Sequence, residues 1–392
     1  MISVLTARQW VAENTVRMAP KAISLKNALG KISANDILAE ADVPAFAQSA
    51  MDGYAFSLDG WLKHKPLKIS GEMAAGAAKE RPVAKGEAIR IFTGAPVPAG
   101  LDAVVMQEKT RVVPGGLLIE DELLTRGANI RPAGSEIKKG ELALKAGTQL
   151  TPAAIGFLAG IGINQVAVYP DPAITIIITG DELQEPGEPL RYGQVYESNS
   201  YTLSAALNNA GLPNVQVVKV KDNVQELTFA LGHALEESDL VLLTGGVSVG
   251  DYDFVIKAAE DCHVQTVFHK IKQRPGKPLF FGKKDHTIIF GLPGNPSSVL
   301  TCFYMYVLPA LELLTQRPLS LKTLQVPLLN SYTKQHALVH FLKGWYDGGG
   351  VSILDAQESY RLSSFAKANC LVELGVDARL YSGGEHVIIH LL

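Results

Sequence analysis

The run Asp239 to Asp253, DLVLLTGGVSVGDYD, sets flexible backbone and acids at the end of an apolar segment. Leu240 to Thr244 read as a buried strand. The chain then turns at Gly245 and Gly246, passes Ser248 and Gly250, and reaches Asp251 and Asp253. Glycines let backbone N–H groups approach a phosphate, and a helix N-terminus favours an anion. Carboxylates beside a phosphate commonly hold Mg²⁺, which takes oxygens from both. Two further strand ends share this character. Thr179-Gly-Asp-Glu-Leu183 carries Asp181 and Glu182, and Gly291-Leu-Pro-Gly-Asn-Pro296 carries Pro293, Gly294 and Asn295. Any one of these loops is equally well a tight turn or a helix cap. Three in one domain point to a binding cleft outside the carboxyl ends of the strands, where open α/β sheets hold ligands.

A second cluster is Arg274-Pro-Gly-Lys-Pro278, in which two cations flank a Pro-Gly turn suited to an oxyanion. A basic turn taken alone is more often a solvated loop. Lys343 in HFLKG and Ser363-Ser364 in RLSSF lie far along the chain, and spacing alone does not join them to it. Nearer the N-terminus, Met51-Asp-Gly-Tyr-Ala55 is a sharp turn with an acid, Asp52. Thr93-Gly-Ala-Pro96 is another strand-end turn. Each alone reads first as structural. His336 with His340, and His386 with His390, have H-x-x-x-H spacing. They fall in expected β segments, where that spacing makes no helical zinc face, so a surface or core role is expected.

The elements that must position these residues are legible in outline. From 171 to about 317, strand, loop and helix alternate. The strands AITIIIT, NVQVVKV, DLVLLT and TIIFG are apolar and mostly β-branched, as a mainly parallel sheet covered on both faces requires. Asn223 and Asn295-Pro296 carry helix-start signals. Between about 47 and 139, short runs such as AIRIF and AVVMQ alternate with turns, which reads as an inserted β-rich domain. A helix over about 7–18 is expected behind a Thr6–Gln9 capping box with Leu5 and Trp10 as its staple, and a second over about 25–38 capped by Ser24. The last part, with YDGGGVS as a hairpin turn, reads as β. The expected fold class is α/β multidomain: an N-terminal helical region (1–46 with 140–170), the inserted β-rich domain (47–139), an α/β domain with a mainly parallel sheet (171–318), and a C-terminal β-barrel-like domain (319–392).

The 392 residues are 47% hydrophobic and 19% charged, with formal net charge −3, so more than one core is expected. No basic excess favours nucleic acid. Cys262, Cys302 and Cys370 are too scattered for a disulfide framework or a C-x-x-C site, and a reducing, cytoplasmic setting is expected. The longest semi-apolar run noted, Pro152–Ile163, is shorter than the ~20 residues of a membrane helix, so no membrane association is expected.

Taken together, the motifs resemble the molybdopterin molybdenumtransferase family, the molybdenum insertases that include the gephyrin E domain. The resembling residues are Ser49-Ala-Met-Asp-Gly-Tyr-Ala55, Phe92-Thr-Gly-Ala-Pro-Val-Pro98, Asn129-Ile-Arg131, Thr179-Gly-Asp-Glu-Leu183, Thr244-Gly-Gly-Val-Ser-Val-Gly250, Arg274-Pro-Gly-Lys-Pro278 and Leu292-Pro-Gly-Asn-Pro296. The resemblance implies a molybdopterin-binding α/β domain and an elongated homodimer. It implies cleavage of adenylylated molybdopterin, release of AMP and transfer of molybdate to the dithiolene, with Mg²⁺. By position, Asp52, Thr93, Arg131 and Glu136 would come from the inserted domain. Asp181, Glu182, Asp222, Ser248 and Asp253 would line the α/β cleft, with Glu182, Asp222 and Asp253 as metal ligands. Gly245, Gly246, Gly250, Pro293, Gly294 and Asn295 would contact the pterin nucleotide. Molybdate would meet Arg274, Lys277, Lys343, Ser363 and Ser364. The site would be shared between subunits, with the molybdopterin adenylyltransferase as a candidate partner.

The chain departs from the family pattern in places. Arg274 stands where lysine is usual, Lys343 where arginine is usual, and Glu136 and Glu197 where aspartate is frequent. The first two exchanges keep charge but trade a planar fork for a point charge, or the reverse. Two other functions remain in view: a non-catalytic dimeric scaffold of the gephyrin E-domain type, and a nucleotide pyrophosphatase of the competence-damage-inducible type. The retained acids disfavour the first and the MDGYA domain disfavours the second.

Overall fold

A computed structural model describes residues 1–79, 81–245 and 254–392. The chain divides into two compact units, Met1–Lys21 with Gly30–Ile32 and Tyr169–Leu392, and Ala22–Leu29 with Ser33–Val168.

In the larger unit a six-stranded sheet forms from β1 (Ile174–Thr179), β2 (Val215–Val220), β3 (Leu240–Thr244), β4 (Gln265–His269), and then β6 (Phe280–Lys284) and β7 (Thr287–Leu292), separated by the short β5 (Gln273–Arg274). Its order is β2-β1-β3-β7-β6-β4. The first four strands are parallel, with β1, β3 and β7 buried along their length and β2 a partly exposed edge, and β6 and β4 add antiparallel. Helices α1 (Val4–Asn14), α2 (Asn199–Asn209), α3 (Val224–Glu237) and α4 (Phe254–Asp261) belong to this unit. Ile176 and Leu242 pack with Leu203 of α2, while Ile177 and Leu243 pack with Leu227 and Leu231 of α3, so both faces of the sheet are covered. Asn223 caps α3 as expected: its Oδ1 accepts from the Gln225 and Glu226 amides.

Two helix expectations are corrected. The cap of α1 is Ser3, whose Oγ accepts from the Thr6 amide at 3.0 Å, so the helix begins a turn before the expected box and ends at Asn14. Leu5 faces solvent and staples nothing. Over 25–38 there is no α-helix. Leu25–Asn27 makes one 3₁₀ turn and Ile37–Leu38 is a strand. Gly30 turns at φ +75°, and the Ser33 and Ala34 amides donate to Thr148 and Ala167 rather than back along a helix.

After β7 come α5 (Pro296–Cys302), a π turn (Phe303–Val307) and α6 (Leu308–Thr315). Pro309 has no N–H to return to a carbonyl of the preceding turn, which accounts for the irregularity there. The continuous stretch Pro296–Thr315 has 20 residues and is apolar enough by composition to cross a membrane, which corrects the choice of Pro152–Ile163 as the longest such run. Its apolar window is 72% buried within the chain, so its apolarity belongs to the core.

The C-terminal sheet comprises β5, β8 (Thr323–Pro327), β9 (Val339–Tyr346), β10 (Val351–Ile353), β11 (Cys370–Leu374) and β12 (His386–Leu391), in the order β5-β9-β11-β12-β8 with β10 on β9. The expected turn joins β9 and β10, with Asp347 Oδ1 accepting from the Gly349 and Gly350 amides. The two faces differ. Leu342, Val372 and Leu374 fill the domain's own core, whereas Phe341 and Leu371 pack into the α/β core. On that second face Glu373 accepts from Arg8 of α1 at 2.9 Å and bonds the His390 ring at 2.7 Å.

Burial pushes the Glu373 carboxyl up, but the bonds to His390 and Arg8 outweigh it and hold it down, at about 2 against an ordinary 4.5. A carboxylate lowered by folding contributes stability above its unfolded value and loses it as pH falls toward the folded one. The contribution is roughly 3 kcal/mol, lost between about pH 4.5 and 2. Acid unfolding monitored by circular dichroism should show this limb, and Glu373→Gln should flatten it; an unchanged acid profile contradicts the assignment.

In the smaller unit Lys68–Met73, Glu87–Ile91, Gly53–Phe56 and Ala103–Met106 form a four-stranded sheet in that order, beside the hairpin of Thr110–Val113 with Gly116–Ile119. The two sheet faces carry separate cores, one around Phe56 and Val105, the other around Ile89 and Ile91. The helix Pro152–Gly160 packs on a third core with Leu25 and Val168.

Candidate active site

The loops after β1, β3 and β7 leave neighbouring parallel strands at their carboxyl ends. Asn199, at the start of α2, joins two of them. Its Nδ2 donates to Thr244 Oγ1 at 2.8 Å and to the Gly294 carbonyl at 2.9 Å, and its buried Oδ1 has no partner. Beside it Glu197 is 1% exposed, accepting from the Ser200 amide and hydroxyl. A carboxylate there also suits the positive end of α2. On the other side, the Thr179 hydroxyl donates to Asp222, whose amide bonds Asp181 Oδ1 at 3.3 Å. Asp181 and Glu182 are exposed and Asp222 half-buried. Gly245 follows β3 at φ +87°, where a Cβ would lie 1.9 Å from the Thr179 carbonyl oxygen. This glycine is therefore a packing requirement as well as a turn. Gly246, Ser248, Gly250 and Asp253 lie outside the described residues. Sequence reasoning passed over Asn199 as a site residue; its signal was a polar run, Glu197-Ser-Asn-Ser200, opening a helix.

The loop after β7 is held from both sides. Pro293 is buried, and Gly294 and Asn295 are exposed. Asn295 Nδ2 donates to Ser359 Oγ at 3.0 Å, and the Ser297 amide donates to the Ser359 carbonyl at 3.1 Å. Ser359 had no motif to announce it.

In the smaller unit Asp52 Oδ1 accepts from both the amide and the hydroxyl of Thr93, each at 2.8 Å. Those two bonds hold its carboxyl below the usual range, and Arg90 adds to the effect. Gly53 fixes the turn because a Cβ there would lie 1.8 Å from the Val105 carbonyl oxygen. Arg90, missed in the sequence, donates to the Gly53 carbonyl and to Gln107 Oε1, and covers the Tyr54 and Phe92 rings. The strand carrying Arg131 pairs with Gln48–Ser49, just before the Asp52 turn. Glu136 precedes a separate bridge between Val43 and Ile137, and its amide bonds the Val43 carbonyl. The structure thus joins Asp52 with Thr93 and brings in neither Arg131 nor Glu136 by a hydrogen bond.

Three family models match the chain: the MoeA N-terminal region (domain I and II) over residues 2–162, a "Probable molybdopterin binding domain" over 175–313, and the MoeA C-terminal region (domain IV) over 325–392. A molybdopterin molybdenumtransferase of Haemophilus influenzae is 36% identical over 381 residues, covering 94% of each chain. The chain belongs to the molybdopterin molybdenumtransferase family. A second member, from Staphylococcus aureus, is 31% identical over 100% of this chain and 95% of its own. A crystal structure of a molybdopterin biosynthesis protein from Pyrococcus horikoshii superposes with TM-score 0.83 at 28% identity, covering 100% of this chain and 99% of that one.

The two cations expected at the oxyanion site, Arg274 and Lys343, part company. Arg274 lies opposite His340 in the parallel β5–β9 pair, so the two share a face. Lys343, three residues beyond His340, is on the other face. Lys343 is 3% exposed, which rules out the solvated lysine. Its ammonium donates to the carbonyls of Ala356 at 2.8 Å, Arg361 at 3.1 Å and Glu358 at 3.4 Å, and burial pushes its pKa down to about 8. Three donors with three acceptors leave it no free N–H for an anion, so its expected place in the oxyanion site is corrected to a scaffold for the 354–361 loop. Gln357 bonds both the amide and the carbonyl of Lys343. Ser364 is buried and donates to the Ala356 carbonyl, while Arg274, Lys277 and Ser363 are exposed.

Lys343→Met should therefore act on the loop that carries Ser359. Leaving buried carbonyls unpaired costs about 1–3 kcal/mol each, less where the loop relaxes to water. We expect a lower melting temperature and faster amide exchange across residues 354–364. Unchanged melting and exchange would contradict the scaffold role.

Proposed function

We propose how this chain carries out the reaction of its family. It is an enzyme of molybdenum cofactor biosynthesis that transfers molybdenum to molybdopterin. In our reading the substrate is adenylylated molybdopterin, bound across the carboxyl ends of β1, β3 and β7, and AMP leaves as molybdate is inserted. The observation that carries this reading is Asn199, which ties Thr244 to Gly294 and so fixes two loops beside the Thr179–Asp222 pair. Exposed loop backbone and carboxylates at one sheet end suit a phosphoanhydride, whose cleavage needs positioning and charge neutralisation more than a nucleophilic side chain.

Among the described residues no three metal-ligating side chains converge. Mg²⁺ typically keeps waters and takes one or two carboxylates with substrate phosphates, so Asp222 and Glu182 fit it. Bound there, it would neutralise phosphate charge. The Asp222 amide donates to Asp181 Oδ1 and so ties the loop after β1 to the loop after β2. Lys277, Arg274 and Ser363 supply exposed donors for the oxyanion. A cytoplasmic setting and a handover from the adenylyltransferase are part of the same proposal.

The test is incubation with adenylylated molybdopterin, Mg²⁺ and molybdate, following AMP. A scaffold releases none. The full-length relatives also disfavour the pyrophosphatase reading, since they match over both the larger and the smaller unit.

The Asp52–Thr93 pair and the α/β cleft lie on different compact units. We propose that the chain is a homodimer in which the Asp52 site of one copy serves the cleft of the other. Mixing Asp52→Ala and Asp222→Asn chains should then restore part of the activity, because one composite site is intact. No recovery in verified heterodimers would remove the shared site.

A further inference from the structure

We propose that Arg274, His336 and His340 form an oxyanion pocket on the face of the β5–β9 ladder opposite Lys343. Arg274 and His340 share that face by register. The His336 and His340 rings lie 4.6 Å apart, and Tyr332 lies 6.2 Å from His340. His340 is 5% exposed, and its Nδ1 has no hydrogen-bond partner. Both ring nitrogens of His336 are likewise buried and unpartnered. Buried polar groups are ordinarily paired, so three orphaned nitrogens at one spot call for a hydrogen-bonding occupant.

The sign of the surroundings decides which kind. Desolvation first, then the neighbouring His336, Arg274 and Lys334, hold His340 down at about 3; desolvation, Lys334 and Arg274 also lower His336. The Arg274 charge is felt at Tyr332 too. No carboxylate is among the groups that shift His336 or His340, and within this group the charge of Asp377 is felt only at Lys334. The Lys334 ammonium is already shared among the carbonyls of His336, Val376 and Asp377. A metal cation would meet this positive field with two imidazoles, which disfavours it. Among the described residues the Arg274 guanidinium makes no ion pair, and it offers five N–H donors. Each neutral imidazole adds one more. Donors in a positive field suit a compact oxyanion, held by the guanidinium outside and the ring pair inside. Molybdate and phosphate share that chemistry. A single bridging water is the plain alternative.

The inference rests on Arg274 as an anion-binding residue, and the experiment separates the two. Sodium molybdate, or sodium phosphate in a parallel arm, is titrated into the full chain by calorimetry. Imidazole ¹⁵N resonances of His336 and His340 are followed in the same titrations. We expect both resonances to move with saturation and Arg274→Ala to abolish the movement. His336→Phe, at a half-exposed position, should weaken binding at least five-fold. The arm with the tighter binding identifies the ion. If the ion binds and Arg274→Ala abolishes binding while the imidazoles stay still, the pocket is wrong and the Arg274 reading stands. If neither ion binds the unaltered chain, both fall.

Discussion

Asp222→Asn is expected to fold normally and to release AMP about 100-fold more slowly than the unaltered chain. Asparagine is isosteric, and its Oδ1 can still accept from the Thr179 hydroxyl, so the bond that fixes this strand end is retained. The backbone amide that donates to Asp181 is untouched. Only the negative charge is lost. If Asp222 holds loop geometry alone, turnover survives. If it neutralises charge around the phosphates with Mg²⁺, turnover falls and the Mg²⁺ concentration for half-maximal rate rises. Thr179→Val is the complementary variant, removing the hydroxyl while keeping the charge, and should cost less. Equal activity of Asp222→Asn and the unaltered chain at limiting Mg²⁺ would contradict the assignment.

Gly245→Ala should produce a large loss of stability. The left-handed φ costs an L-residue roughly 1–2 kcal/mol. The added carbon would also sit 1.9 Å from the Thr179 carbonyl oxygen, inside backbone that cannot rotate away. β1 and β3 are neighbours in the centre of the sheet, so relief requires moving one strand end against the other. We expect a loss of about 3 kcal/mol or more, read from urea unfolding, and disrupted Asp222 geometry in whatever still folds. Gly294→Ala is the control. No atom lies within 4 Å of its would-be Cβ, and its stability should change by less than about 1 kcal/mol. Similar midpoints for the two variants would show that the strand ends yield more than the packing implies.

The α/β strands were legible because buried parallel strands are written as long β-branched runs; all four expected runs are strands. Caps with a local mechanism, Asn223 and the Asp347 turn, were legible for the same reason. The helix expected over 25–38 failed because its backbone donors find partners more than 100 residues away, which no local pattern records. The same holds in the site. Loops rich in glycine and acid announce themselves, whereas Asn199 and Ser359 act by reaching to distant loops. Lys343 shows the limit most clearly. Its motif position and its charge were readable, but the strand's alternation turns it away from Arg274 and into three carbonyls.

The most direct test of the central claim counts molybdenum against AMP. The chain is incubated with adenylylated molybdopterin, Mg²⁺ and molybdate; released AMP and pterin-bound molybdenum are then measured on the same sample. The account predicts one molybdenum acquired by the dithiolene for each AMP released, with both suppressed in Asp222→Asn. AMP released without molybdenum on the pterin would instead describe a hydrolase, and would contradict it.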